Sequence, residues 1–107
     1  MNLSIRQGDV LLMPVADTPP TEVRVSGEVV LAEGELTGHA HRLAAPVVYE
    51  WEMAGQRYVR VVGDEPGTLA HEDHDPVPVP VVEPNQTYRV VPQREWDLAG
   101  QWRRVVD

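Results

Sequence analysis

Pro76-Val77-Pro78-Val79-Pro80-Val81 is the stretch that constrains the fold most tightly. In an extended chain, backbone N–H groups two residues apart point to the same edge. Prolines at 76, 78 and 80 therefore strip one edge of donors and leave the valine donors on the other. Such a segment pairs on one side at most, as an edge strand or as a wrapped polyproline-like arm, and is excluded from the centre of a sheet.

The rest of the chain reads in the same idiom. Val10-Leu11-Leu12-Met13-Pro14-Val15 is a buried strand behind a turn at Gly8-Asp9, and Asp17-Thr18-Pro19-Pro20 is a loop. Thr21 to Val25 and Val29 to Ala32 flank Ser26-Gly27 and are expected to form a hairpin. Val47 to Trp51 and Gln56 to Val62 flank Ala54-Gly55 as a second hairpin. Gly63-Asp64-Glu65-Pro66-Gly67 is a strong turn, followed by a short strand Thr68-Leu69-Ala70 ending at His71. Thr87 to Val91 and Gln101 to Val106 are further strands, with one helical turn expected at Glu95-Trp96-Asp97-Leu98-Ala99. About eight to ten short strands at this spacing predict an all-β fold, a small barrel or sandwich formed by residues 1–107 as a single domain.

Composition agrees. Among the 107 residues are ten prolines, eight glycines, three Trp, three Tyr and no Phe, so Val and Leu must supply most of the core. β-branched residues suit a pleated, half-buried surface. The formal charge of −8 comes with no basic run longer than Arg103-Arg104, which argues against a nucleic-acid backbone as ligand. Without cysteine there is neither a disulfide framework nor a thiolate site, so any metal must be held by nitrogen and oxygen. The N-terminus lacks the basic start and apolar run of a signal peptide, and no stretch is long and apolar enough to span a bilayer. The expected location is the cytoplasm, with no membrane association.

All four histidines fall in two tight clusters, Gly38-His39-Ala40-His41 and His71-Glu72-Asp73-His74. On a strand, residues i and i+2 share a face about 6.5–7 Å apart, so His39 and His41 could lean toward one ion. His71 and His74 face opposite sides of a straight strand. They can act together only if the chain turns after His71, which Asp73-His74-Asp75-Pro76 favours. Glu72, Asp73 and Asp75 are then candidate ligands or acceptors that orient the imidazoles. A single HxH is more often incidental than functional; the weight rests on the pairing of pairs in a chain otherwise poor in histidine. The expected site is His39, His41, His71 and His74 around a divalent transition metal (Zn, Fe, Mn or Ni), which imidazole alone does not discriminate.

An HxH on a strand, a Pro/Gly turn and a further histidine resemble the cupin superfamily. That resemblance implies a double-stranded β-helix barrel with a metal inside and, for some members, catalysis on a small molecule. Gly34 precedes His39-Ala40-His41 at nearly the family spacing, and Pro66-Gly67 followed by His71 is similar to the second motif, one residue out of register. The family's glutamate position falls at Ala45-Pro46, which cannot bind, and Glu50 comes too late; His74 is the replacement the resemblance suggests. The likeness covers roughly residues 34 to 92.

Elsewhere, Arg94 is a candidate for an anionic substrate group, although a surface pair with Glu95 is the simpler reading. Arg42 adjoins the HxH but should point away from both rings. Trp51, Trp96 and Trp102 read as core or interface anchors. Glu33 and Glu35 read as solvated acids. A non-enzymatic assembly or binding module is the alternative, with structural histidines or histidines bridging the protomers of a homo-oligomer. Metal-free acid–base catalysis on a phosphoester lacks its hydroxyl residues, because His41 and Asp73 stand where they are needed.

Overall fold

The computed structural model describes residues 3–33, 38–81 and 85–92. Among them are eight strands and no helix: β1 (Ile5–Gln7), β2 (Val10–Val15), β3 (Arg24–Glu33), β4 (Ala40–Met53), β5 (Gln56–Val61), β6 (Gly67–His71), β7 (His74–Val79) and β8 (Thr87–Pro92). They form one sheet in the order β1-β2-β8-β5-β4-β6-β7, with β3 pairing along β4. Every pairing is antiparallel. The sheet curls into a nearly closed barrel, its two end strands meeting where the Gln7 side chain on β1 reaches the Asp75 carbonyl on β7. The all-β expectation holds, and no helix among the described residues is long and apolar enough to cross a membrane.

The core forms where alternating inward positions meet. Val10, Leu12, Leu43, Val48, Val59, Leu69 and Val79 are fully enclosed, with Val29, Leu31, Val61, Tyr88 and Val90 packed around them. Trp51 is buried and stacks on Tyr58, with ring centroids 5.7 Å apart. Glu50, on the same strand, is held between Arg24 and Arg57.

β7 is an edge strand. It pairs with β6 through Gly67↔Val79, Thr68↔Pro78 and Leu69↔Val77 and ends the strand order, as the proline spacing requires. The Ala54-Gly55 hairpin is also present, both residues at positive φ (53° and 77°), as a type I′ turn demands. The first expected hairpin is not. Thr21–Val25 and Val29–Ala32 do not fold back on each other; residues 24–33 form one strand lying along β4, with register shifts at Ser26/Glu28 and Val30/Ala32. Ser26-Gly27 is not a turn: it lies at a register shift where Gly27 alone faces Ala45, Pro46 and Val47, so the extra residues belong to β4, and beyond the shift Val25 is exposed while Val29 is buried. A small flexible pair serves either purpose, and the partner decides which: β4 is long enough, at 14 residues, to pair with the whole of β3. The helical turn at 95–99, the strand at 101–106, Arg94, Trp96, Trp102 and Glu35 lie outside the described residues.

Candidate metal centre

Three segments meet at one end of the barrel: the β1–β2 turn, the start of β4 and the β6–β7 turn. β6 and β7 are joined by the two residues Glu72-Asp73, so His71 and His74 become direct cross-strand partners. Opposed residues on antiparallel strands present their side chains on the same face. The turn thus resolves the awkward three-residue spacing, and the two rings lie 4.7 Å apart between centroids.

His41 enters from β4. Its ring is 1% exposed and lies 4.2 Å from the ring of His71 and 5.6 Å from that of His74. One potential ligand atom from each of His41, His71 and His74 falls within 4.8 Å of the others. The cluster is therefore three histidines drawn from both sequence pairs.

His39 stands at its margin. Gly38 has φ of +73°, and β4 starts only at Ala40, so His39 lies outside the regular strand. The i, i+2 alignment of a regular strand therefore does not extend back to this ring. His39 Nδ1 instead pairs with Asp73 Oδ2 at 2.6 Å, with its ring edge-on to His71 at 6.0 Å.

The carboxylates of the β6–β7 turn tie it to β4. Glu72 Oε1 accepts the Ala40 N–H at 3.0 Å, and Arg42 reaches Oε2 at 3.4 Å. The Ala40 amide above all, then the residue's own amide and Arg42, holds the Glu72 carboxyl at about 2. Arg42 is thus structural, as its position beside the HxH suggested. Asp73 serves His39, and the Asp75 backbone carbonyl accepts from Gln7.

The β1–β2 turn supplies residues that sequence reading passed over as an ordinary turn. Gln7, 3% exposed, donates from Nε2 to the carbonyls of Leu69 and Asp75, both at 2.9 Å, and places Oε1 2.9 Å from Nδ1 of His41. Asp9 Oδ1 lies 2.7 Å from His41 Nε2. Gly8, with φ of +56°, forms the floor between them: a Cβ here would sit 2.6 Å from His74 Nε2 and 3.2 Å from His41 Cε1. The one local signal was Gly-Asp itself, which suits a two-residue hairpin with glycine first. Its partners lie more than 30 residues away in sequence.

The donor set suits a borderline divalent ion: three imidazoles, an adjacent carboxylate and no thiolate. An ion on His41 would use Nε2, because Nδ1 is engaged by Gln7, and would replace the proton shared with Asp9. His71 Nδ1 accepts the Asp73 N–H at 3.0 Å, so in this hydrogen-bonding form Nδ1 carries the lone pair. Ligation through the buried Nε2 of His71 would place the ring proton on Nδ1 and end that contact.

Comparison with known proteins gives a family without a function. A domain family of unknown function, DUF8820, matches residues 6–93. The chain belongs to that family. No curated protein and no solved structure matches it. The matched span takes in Gln7, Gly8 and Asp9 together with all four histidines, so the whole cluster lies inside the family domain.

Proposed function

We propose that this DUF8820 domain binds one divalent transition metal ion (zinc, iron, manganese or nickel) through His41, His71 and His74, with the Asp9 carboxylate beside it. The observation that carries the reading is the convergence of three imidazoles over a glycine that leaves no room for a side chain. Three nitrogen donors leave coordination positions for water or a small ligand. Bound there, the metal would polarise a carbonyl or phosphoryl oxygen, or lower the pKa of a water. His74 is only half-buried, which leaves the cluster a side open to solvent. The cupin-type version of this proposal, catalysis on a small molecule, draws on the HxH and on a metal-competent cluster within a barrel; it takes His39 as an outer member acting through Asp73.

A second reading is a metal-free polar plug that seals the barrel end, in a protein acting as a binding or assembly module. It is favoured by His41 having hydrogen-bond partners at both ring nitrogens without an ion. Protein purified without a nickel column and analysed by elemental mass spectrometry separates the two. The metal reading expects about one equivalent per chain, lost in His41→Ala and His74→Ala and retained in His39→Ala. Wild-type protein that takes up none of the four ions on reconstitution overturns it in favour of the plug.

A further inference from the structure

The geometry points to Gln7 as the positioning residue of the histidine cluster, one that makes closure of the barrel and the orientation of His41 a single hydrogen-bonded unit. This rests on the metal reading only for its consequence in affinity.

Donor and acceptor counting sets the orientation of the Gln7 amide. A carboxamide offers two N–H donors on nitrogen and only acceptor sites on oxygen. Both donors of Gln7 go to backbone carbonyls, Leu69 O on β6 and Asp75 O on β7, and carbonyls can only accept. The amide therefore cannot be flipped without setting oxygen against oxygen twice. Its Oε1 must face His41, 2.9 Å from Nδ1, and can only accept there. Nδ1 of His41 must then carry a proton, and Nε2 is the nitrogen turned toward Asp9 and available to an ion. Metal-binding histidines commonly have their second nitrogen fixed in this way by an outer acceptor.

The placement of those two carbonyls gives Gln7 its second task. The β6–β7 register shifts between Leu69 and His71, which interrupts the ladder where Leu69 and Asp75 lie. The Gln7 side chain enters that interruption from β1, the opposite end of the strand order. Both partners are deeply buried, Gln7 at 3% and His41 at 1% exposure, so each hydrogen bond left unmade would be costly. A glutamine between β1, β6–β7 and His41 thus ties the seam of the barrel to the ring that begins the site.

The test is long-range proton–nitrogen NMR of the imidazoles in the ¹⁵N-labelled full chain, before and after zinc is added, with Gln7→Met as the variant. The expected wild-type result is a protonated Nδ1 on His41 in both states. In zinc-free Gln7→Met, which nearly keeps the shape and removes the amide, the Nδ1 proton should be lost and Nε2–H beside Asp9 retained, and the zinc Kd should rise about 10–100-fold. A wild-type His41 lacking the Nδ1 proton overturns the proposal, and so does a folded Gln7→Met that retains wild-type tautomer and affinity. Should Gln7→Met not fold, the wild-type spectrum alone decides. Should wild-type protein bind no zinc, the metal reading falls, while the zinc-free spectrum still judges Gln7.

Discussion

Replacing Gly8 with alanine tests the floor of the site, and its effects divide into two parts that can be measured separately. The first is backbone strain. At φ of +56° an L-residue gives up about 1–2 kcal/mol relative to glycine, whatever surrounds it. The second is local. The new Cβ would sit 2.6 Å from His74 Nε2 and 3.0 Å from its Cε1, so that ring must retreat by about 0.8 Å to reach an ordinary contact of 3.4 Å. Metal–ligand distances tolerate only about 0.2 Å, so a shift of this size removes His74 from any shared ion. His74 is the far end of a side chain and can move, which confines the damage to the site. Gly55→Ala is the control, because Gly55 has φ of +77° and nothing within 4 Å of its would-be Cβ. Both variants should lose about 4–8 °C in Tm for each kcal/mol of strain. Only Gly8→Ala should also lose zinc affinity, by at least about tenfold, or 1.4 kcal/mol, in a titration against a competing chelator. A folded Gly8→Ala that binds zinc as tightly as Gly55→Ala would refute the floor argument.

Three further outcomes follow from the same geometry. Glu72 has a folded pKa depressed to about 2 from an ordinary 4.5, so its contribution to stability is complete above pH 4.5 and is lost as pH falls through about 2. Urea unfolding at pH 5, 4 and 3 should show wild type losing more stability than Glu72→Gln over that window; parallel pH dependences would remove Glu72 as the tie to β4. Ala54 occupies a type I′ position at φ of 53°, and Ala54→Asn should raise stability by about 0.5–1 kcal/mol in thermal or urea melts, with an unchanged or lowered value counting against that turn assignment. Pro76→Thr with Pro78→Thr restores donors to the outer edge of β7, and concentration-dependent self-association should then appear in size-exclusion chromatography; a double variant that elutes as wild type does at every concentration would show that the prolines do not guard that edge.

Periodicity and turn chemistry made much of the sheet readable in advance, because both act over a few residues. Alternating proline fixed β7 at an edge, and Ala54-Gly55 located a hairpin. The same local rules misread Ser26-Gly27, since small residues suit a turn and equally suit a strand crossing a register shift, and only what lies opposite tells the two apart. At the site, residue chemistry singled out the histidines, three of which do cluster, and the turn after His71 was the condition stated for His71 and His74 to come together.

What the chain alone determined about this protein, then, is its strand chemistry, its blocked edge and its stock of imidazoles. Tertiary structure decided which rings meet: His39, just outside β4, pairs with Asp73, while the β6–β7 turn brings His74 across from His71. It also brought Gln7, Gly8 and Asp9 into the cluster. Gln7 reaches Leu69 across 62 positions and Asp75 across 68, and Asp9 reaches His41 across 32. The physical reason is that hydrogen bonding and close packing depend on distance in space, and neither leaves a periodic trace in the sequence when the partners come from opposite ends of a sheet.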